Sequence, residues 1–339
     1  MTPRRALLVG AGGMGRNWGR NLLQRSDRVE LVGWVDSVAG KSAEAAAEIG
    51  CANAWTGTSL DSAIEETSPD FVVDVTIPEA HRDVTLRALS AGIAVLGEKP
   101  MADSMESARA MVAASEASGA LYMVSQSRRY DPRIAACRGA IRDRIGRLGM
   151  LHADFQIGAH FGGFRDEMDH VLLLDMAIHT FDAARYLSDS DPVSVYAEEF
   201  NPSWSWYRGA ASAHCLFEMS NGLRFTYRGS WCAEGLPTSW ESEWRAVGER
   251  GTVRWDGYQS IRSETLAGET GFHRPVAAHT DDVADVPPEG IAGSLVDFLD
   301  ALDTGRTPMG ECHDNIKSLA MVFAAIESAR TGERVPVLV

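Results

Sequence analysis

The sequence predicts an α/β protein in which a doubly wound parallel sheet is followed by an α+β domain with an open, mainly antiparallel sheet. Short apolar runs alternate with helical patterns through residue 125, as they do in βαβ units. Longer alternating strands then occupy residues 193–255, which is typical of an antiparallel sheet. Because 339 residues suffice for two domains, we place the first at residues 1–126 and the second at 127–339.

In the first domain, compact apolar runs predict strands that are buried on both faces of the sheet. Alanine-rich or amphipathic stretches that end in glycine predict the helices between them. The predicted strands are 6–9, 29–35, 71–75, 93–96 and 121–124. The first predicted helix begins after residue 12, and the other predicted helices are 41–49, 60–66, 80–91 and 104–118.

The second domain has a different pattern, with hairpin turns at residues 220–222 and 248–251. Its predicted strands are 150–157, 193–200, 210–219, 223–231, 241–247 and 252–255, and its predicted helices are 133–145, 172–187, 294–302 and 314–330. Residues 259–287 are polar and irregular, so we expect a long excursion without regular structure there.

A glycine-rich turn between the first strand and the first helix predicts a Rossmann-type dinucleotide site. Its residues are Gly10, Gly12, Gly13, Met14 and Gly15. The first glycine allows the tight turn, the second lets the backbone approach a pyrophosphate, and the last lets the helix pack against its strand. The anion would bind the N–H groups at the helix start.

An acidic residue ends the second strand, as the fingerprint requires. This residue is Asp36, whose carboxylate would accept hydrogen bonds from the adenosine ribose and repel a 2′-phosphate. A turn or helix-capping role is the structural alternative. No arginine occurs in residues 37–40 to hold that phosphate, although Lys41 follows. The expected cofactor is therefore NAD, in preference to NADP.

Composition excludes several classes of partner. The net charge of −15 argues against nucleic acid and anionic membranes, because both need a basic surface. Five scattered cysteines without a C-x-x-C pair favour a reduced, cytoplasmic protein over a disulfide framework. No apolar run is long enough to cross a bilayer, and the apolar residues after the Arg4-Arg5 pair belong to the glycine fingerprint rather than to an export signal.

A lysine follows a central strand at the edge where ligands bind. The strand 93–96 continues into Gly97-Glu98-Lys99-Pro100, and the carboxyl ends of parallel strands line the ligand crevice. We therefore expect Lys99 beside the nicotinamide and count Glu98 and Lys99 among the cofactor-binding residues. The alternative is a surface lysine that pairs with a carboxylate.

Asp175 and His179 form the second candidate cluster. A spacing of four residues places both on one face of the helix predicted at 172–187. Such a pair among aliphatic residues also occurs as a purely structural contact. His170, Asp175 and His179 are plausible metal ligands as well, but hydride chemistry with a lysine and a histidine needs no metal, and we expect none.

Together these motifs resemble the glucose–fructose oxidoreductase, inositol dehydrogenase and rhizopine-catabolism (Gfo/Idh/MocA) family. The resemblance runs from residue 5 to the closing helix and depends most on Glu98-Lys99-Pro100, residues 128–132 (R-R-Y-D-P) and the Asp175/His179 spacing. It implies an NAD(P)-dependent oxidoreductase of sugars, polyols and related compounds that forms homodimers or homotetramers through the open sheet. Lys99, Asp175 and His179 would be the catalytic group, with Arg128 contacting substrate.

The sequence departs from the family before the aspartate. Where members often have glycines, it has H-V-L-L-L at residues 170–174 and Ala177, so the shape of the substrate pocket does not transfer. The glycine-rich segment 158–163, with His160, Phe161 and the following Arg165, is expected at the pocket edge, and we include His160 among the substrate residues. Arg128 and Arg129 are also candidates for holding a substrate carboxylate or phosphate, and the alternative is that both form salt bridges at the start of the second domain.

Six of the nine tryptophans lie between Trp204 and Trp255. Packing in the core or between subunits is the preferred explanation, because a broad antiparallel sheet needs one face covered. Stacking of a sugar ring is the alternative.

The mechanistic hypothesis is the interconversion of a secondary alcohol and a ketone. His179 would accept the proton of the hydroxyl, Lys99 would stabilise charge on the same oxygen, and Asp175 would position a neighbouring hydroxyl or the imidazole. Two other functions are compatible with the same scaffold. One is a non-catalytic NAD-binding sensor, and the other is an NAD-dependent glycoside-processing enzyme in which oxidation is transient.

Overall fold

The computed structural model describes residues 2–283 and 289–339, which divide into two compact units. The first unit contains the chain up to Ser127 together with Ile291–Ile316, and the second contains Arg128–Gly290 and Lys317–Val339. This division differs from the predicted domains in one segment, because residues 291–316 return to the first unit after the second has begun.

The first unit is built on a six-stranded sheet in which every pair of neighbouring strands is parallel, in the order β3-β2-β1-β4-β5-β6. The strand order reverses between β1 and β4, and ligands bind at the carboxyl ends of strands beside such a reversal. Its strands and helices are β1 (Arg4–Val9), α1 (Gly13–Leu23), β2 (Val29–Val35), α2 (Lys41–Ile49), β3 (Trp55–Gly57), α3 (Leu60–Thr67), β4 (Phe71–Asp74), α4 (Pro78–Ser90), β5 (Ala94–Gly97), α5 (Met105–Ser118) and β6 (Tyr122–Val124).

The central strands are buried on both faces, as their apolar sequences predict. Leu7 and Leu8 in β1, and Val72 and Val73 in β4, have no exposed surface. The predicted doubly wound parallel sheet is confirmed. Strand β3 was not predicted, because its three residues are too few to show a period.

The second unit is built on a nine-stranded sheet in the order β14-β13-β12-β11-β7-β10-β9-β8-β15. All neighbouring strands are antiparallel except β7 and β10, which run parallel. The remaining strands and α-helices are α6 (Pro132–Arg144), β7 (Leu148–Gln156), α7 (Ile178–Ser188), β8 (Pro192–Phe200), β9 (Ser212–Met219), β10 (Arg224–Ser230), β11 (Glu243–Gly248), β12 (Gly251–Trp255), β13 (Ser260–Leu266), β14 (Val276–Asp282), α8 (Gly290–Thr304), α9 (Cys312–Thr331) and β15 (Val335–Pro336).

The large sheet buries one face and exposes part of the other. In β7, Leu151, Ala153 and Phe155 are buried, while Met150 on the opposite face is 46% exposed. This alternation is the period of a strand with a single covered face. The predicted open, mainly antiparallel sheet is therefore confirmed.

The prediction for residues 259–287 is wrong for 260–266 and 276–282, which form strands, whereas residues 267–275 between them have no regular structure, as predicted. Strands β13 and β14 pair antiparallel across seven residues each and form the edge of the large sheet. Every residue of β14 is exposed or half-buried, so its sequence lacks the apolar alternation that identifies a strand. Residues 284–287 lie outside the described part of the chain.

The predicted helix over residues 172–187 has two parts. Leu172–Ala177 is a π-helix, and α7 continues from it without a break. Such wide turns occur mostly inside α-helices and often at functional sites. No helix in residues 2–283 and 289–339 combines the length and apolarity of a membrane span.

Candidate active site

Two of the fingerprint glycines are required by close backbone packing. Gly10 has a φ of +100°, and a Cβ there would lie 2.5 Å from the carbonyl oxygen of Val75. A Cβ on Gly15 would lie 2.0 Å from the carbonyl oxygen of Gly10. These distances are far below van der Waals contact, so neither position admits a side chain without movement of the backbone.

The other two glycines border open space. A Cβ on Gly12 or Gly13 would meet no heavy atom within 4 Å. Gly12 is also the N-cap of α1, and no side chain caps that end of the helix. The helix start therefore offers N–H groups and an unobstructed approach, which are the properties that a pyrophosphate needs.

Asp36 links the glycine turn to the end of β2. Its Oδ2 accepts a hydrogen bond from the N–H of Ala11 at 2.7 Å, and its Oδ1 accepts one from Val38 at 2.9 Å. Lys41 lies 3.6 Å from Oδ2. The bonds of Asp36 to Ala11 and Val38 are the turn contacts expected from the structural alternative for this residue. They are compatible with ribose binding because each carboxylate oxygen can accept a further hydrogen bond.

The turn after β5 is held by Glu98. Its Oε1 accepts from the indole N–H of Trp18 at 2.7 Å, and its Oε2 accepts from the backbone N–H of Lys99 at 3.0 Å. Loss of hydration raises the pKa of Glu98, and the bond from Trp18 and the charge of Lys99 oppose that shift. Lys99 itself is partly exposed, and its bond to Pro100 is a cis peptide.

In the second unit, Asp175 and His179 are both partly exposed within a segment that is otherwise almost entirely buried. Asp175 lies in the π-helix and His179 in the first turn of α7. The carboxylate of Asp175 accepts from Arg165, with 2.8 Å from Nε to Oδ2 and 3.3 Å from Nη2 to Oδ1. The carboxylate therefore already has a cationic partner.

Arg165 lies in a short 3₁₀ helix, Gly163–Glu167, and contacts two aromatic side chains. Its guanidinium lies 5.0 Å from the ring centre of Phe161 and 4.8 Å from that of Phe164. His160 stacks on Trp206 with ring centres 3.6 Å apart, and its Nε2 is 2.8 Å from Glu234. The sequence placed Arg165 near the pocket edge but carried no signal for its pairing with Asp175.

The two arginines at the start of the second unit have different surroundings. Arg128 is largely buried and lies 3.5 Å from Glu241. Burial lowers the pKa of Arg128, and Glu241 opposes that shift. Arg129 is paired with the buried Asp182 through bonds of 2.8 and 2.6 Å. Arg129 and Asp182 thus form a buried structural pair.

The metal ligands considered from the sequence have other partners. His170 Nδ1 lies 2.6 Å from Glu199, whose pKa is raised by burial, and Asp175 is bound to Arg165. Among the described residues, Glu311, Cys312 and His313 bring potential ligand atoms within 4.8 Å of one another. They are consecutive in the chain and belong to the first unit.

The six tryptophans between Trp204 and Trp255 differ in burial, and Trp206, which stacks on His160, is half-buried. Trp231, Trp244 and Trp255 are buried, so the core-packing explanation holds for them. Trp204 and Trp240 are 72% and 49% exposed.

Three residues that hold the turn at Lys99 or the neighbouring loop after β4 were missed by sequence reasoning: Trp18, Asp74 and His81. Trp18 bonds to Glu98, and Asp74, at the end of β4, accepts from Thr76 through both the N–H (3.1 Å) and the hydroxyl (2.6 Å). His81 contacts the carbonyl oxygens of Thr76 and Pro100. Contacts to backbone carbonyls place no requirement on the partner's side chain, so they leave no pattern in the sequence.

The glycine turn, the exposed helix start and Asp36 on a parallel sheet define the class, which is a Rossmann-type dinucleotide-binding protein. Residues 4–126 match the oxidoreductase family with an NAD-binding Rossmann fold, and residues 135–254 match the GFO/IDH/MocA C-terminal domain. The chain belongs to the Gfo/Idh/MocA family and is an NAD(P)-dependent oxidoreductase with NAD as its cofactor.

Similar proteins cover nearly the whole chain. An uncharacterized protein, y4oX, of Sinorhizobium fredii is 30% identical over 98% of this chain and 95% of its own length. D-apiose dehydrogenase of Paraburkholderia graminis is 28% identical over 97% of this chain and 88% of its own. The crystal structure of an oxidoreductase from Agrobacterium radiobacter with NAD+, L-tartaric acid and magnesium has a TM-score of 0.84 at 22% identity, and 99% of each chain is covered.

Proposed function

We propose that this protein interconverts a secondary alcohol and a ketone on a sugar, polyol or inositol-like substrate. The partly exposed Asp175 and His179 carry the proposal, because they place a carboxylate and an imidazole one helical turn apart in a segment that is otherwise almost entirely buried. A full-length relative named for a sugar dehydrogenase supports the substrate class.

In the oxidation direction, His179 accepts the hydroxyl proton, which suits an imidazole because its proton affinity lies near neutral pH. Lys99 donates a hydrogen bond to the same oxygen and stabilises the negative charge that develops on it. The carbon–hydrogen bond of that carbon breaks, and NAD+, when bound, supplies the acceptor for the hydride. In the reduction direction, His179 returns the proton.

Asp175 has a positioning role in this proposal. Its carboxylate accepts a hydrogen bond from a neighbouring substrate hydroxyl or orients the imidazole of His179. Arg165 holds this carboxylate in place through an ion pair with its guanidinium. Arg128 and His160 contact the substrate further from the reacting carbon.

The nucleotide is held by the residues at the start of α1 and the end of β2. The N–H groups beside Gly12, Gly13 and Met14 receive the pyrophosphate, and Asp36 receives the adenosine ribose. The charge of Asp36 disfavours a 2′-phosphate, which explains the preference for NAD over NADP.

We also propose that the chain forms a homodimer or homotetramer through the open face of the large sheet. Met150, Tyr196 and Phe200 are 46%, 37% and 43% exposed, and apolar side chains grouped on a surface often mark an interface. The five cysteines are free, which suits the reduced cytoplasm that we propose as its location. Light scattering tests the assembly, and a monomer at micromolar concentration contradicts it.

The function is tested by a screen of monosaccharides, inositols and their keto forms that follows NADH. Net formation or consumption of NADH supports the proposal. Cleavage of a glycoside without net NADH would identify the glycoside-processing alternative, and NAD-dependent binding without reaction would identify a sensor.

The site is tested by two variants with matched controls. We expect Lys99→Ala and His179→Ala each to lower kcat by about 100-fold or more, because each removes a group that acts in the transition state, while NAD affinity stays within about twofold. Lys317→Ala and His273→Ala change a lysine paired with Asp191 and an exposed histidine, and they should keep normal turnover. Normal turnover in Lys99→Ala or His179→Ala would remove that residue from the mechanism.

A further inference from the structure

His81, in α4, joins two loops at the ligand-binding edge of the first unit. It is only 2% exposed. Its Nδ1 lies 3.0 Å from the carbonyl oxygen of Pro100, and its Nε2 lies 3.1 Å from the carbonyl oxygen of Thr76. One ring therefore connects the loop after β4 with the turn after β5, which contains Lys99.

Both partners of the ring are acceptors. A carbonyl oxygen can only accept a hydrogen bond, and a neutral imidazole carries one N–H and one lone pair. In either neutral tautomer, one of the two contacts would set a lone pair against a carbonyl oxygen. Only a ring protonated on both nitrogens satisfies both contacts.

A buried cation needs negative charge nearby. Asp74 is fully buried at the end of β4, and Glu98 is partly buried on the turn after β5. Burial raises the pKa of both carboxyl groups, and the charge of His81 acts in the opposite direction on each. The charge of Lys99 also acts on Glu98, and the buried Tyr122 lies near Asp74 and the Cys312 thiol. Two carboxyl groups are therefore close enough to compensate a positive charge on the ring of His81.

We propose that His81 is a positioning residue that stays protonated on both ring nitrogens and, by donating to Thr76 and Pro100, holds the backbone on which Lys99 is presented. The protonation state rests on the geometry of the first unit alone. The consequence for turnover rests on the catalytic role proposed for Lys99.

The protonation state is tested by correlating ring nitrogens with ring protons in ¹⁵N-labelled wild-type protein at about pH 8, where an ordinary imidazole is neutral. The signals of His81 are those missing from the His81→Gln spectrum. We expect both ring nitrogens of His81 at the position of a protonated nitrogen. One bare nitrogen on His81 at that pH would overturn the proposal, whether or not any variant folds.

The positioning role is tested without turnover through amide hydrogen exchange. The N–H of Lys99 donates to Glu98, and we expect it to exchange about tenfold faster in His81→Phe, because the turn loses its bond to α4. His81→Gln, which keeps one donor, should lie between wild type and His81→Phe, and His273→Gln should match wild type. Unchanged exchange in His81→Phe would overturn the positioning role.

The kinetic consequence separates this inference from the proposed function. With an active substrate, His81→Phe should lower kcat by about tenfold, while KM for NAD changes by less than about twofold. A residue that only stabilises the fold would lower the melting temperature and leave kcat per folded molecule unchanged, and that result would also overturn the positioning role. Normal turnover in Lys99→Ala would defeat the proposed function, but the ring protonation and the exchange rates would stand.

Discussion

The cofactor edge of the first unit and the Asp175 region of the second obtain their properties in opposite ways. At the cofactor edge, glycines provide bare backbone, and two of them lie so close to other backbone that no Cβ fits. In the Asp175 region, the important groups are charged side chains held in ion pairs, such as Arg165 with Asp175 and Arg128 with Glu241. Substitutions should therefore act through sterics in the first region and through electrostatics in the second.

The largest expected effect is steric, and it distinguishes Gly15 from Gly13. Gly15→Ala forces backbone apart at Gly10, and we expect it to lower the free energy of unfolding by about 3 kcal/mol. Gly13→Ala, which meets no atom within 4 Å, should change it by less than about 1 kcal/mol. Urea denaturation without NAD measures both values. Equal losses in the two variants would contradict the steric argument.

The next effect concerns Asp36, the carboxylate proposed to receive the adenosine ribose. In Asp36→Asn the charge that disfavours a 2′-phosphate is lost, and the amide cannot accept from both Ala11 and Val38. We expect NAD to bind about tenfold more weakly and the preference over NADP to shrink by a similar factor. Calorimetric titration with both nucleotides measures this. Glu44→Gln, an exposed change in α2, is the control, and an unchanged NAD/NADP ratio in Asp36→Asn would contradict the assignment.

A smaller effect is expected from the ion pair in the second unit. Arg165→Met keeps an apolar stem beside Phe161 and Phe164 but leaves Asp175 without this cationic partner. Because the pair is partly exposed, we expect a loss of about 1 kcal/mol, or about fivefold in kcat/KM, with NAD affinity unchanged. Arg208→Met removes an exposed ion pair with Asp169 and should leave kcat/KM unchanged. A loss of NAD affinity in Arg165→Met would show that the two regions are not independent.

The smallest expected effect is a change of pH dependence at Glu98. Its folded-state pKa is raised above the ordinary value of 4.5 by loss of hydration. The folded state therefore holds this proton more tightly than the unfolded chain, and the associated stability is present below pH 4.5 and disappears as the pH rises through the folded-state pKa. Glu98→Gln removes this titration. The free energy of unfolding of the variant should therefore fall less than that of the wild type between pH 4.5 and the folded-state pKa of Glu98.

Denaturation at a series of pH values gives, for each protein, the slope of the free energy of unfolding against pH. Asp74, whose pKa is also raised by burial, is present in both proteins, so their difference isolates Glu98. The exposed Glu79→Gln in α4 should keep the wild-type slope. A wild-type slope in Glu98→Gln would contradict the raised pKa assigned to Glu98.

Much of the architecture was predictable because apolar period and glycine position follow directly from local backbone geometry. Helix α2 begins and ends where the alanine-rich run predicts, and the buried strands β1 and β4 match their apolar runs. Prediction failed for β13 and β14, because an edge hairpin with little burial imposes no apolar pattern on its sequence. It also missed the π-helix, because i→i+5 bonding requires no particular residue type.

The candidate residues were found by the sequence, but their partners were not. Asp175 and His179 could be paired from their spacing, whereas Arg165 is ten residues from Asp175 in a separate 3₁₀ helix. Glu98 could be placed at a strand end, but its partner Trp18 is eighty residues away. An ion pair or hydrogen bond between distant segments depends on how those segments pack, and a single sequence does not record it.

The amino-acid sequence by itself determined that a glycine turn, an acidic strand end and a parallel sheet would form a dinucleotide site, because these requirements are local and steric. Only the tertiary structure decided which charges meet, namely Arg165 with Asp175, Arg129 with Asp182, and His81 with two backbone carbonyls. These contacts form between segments brought together by the burial of apolar surface, which is non-directional and does not specify polar partners in advance.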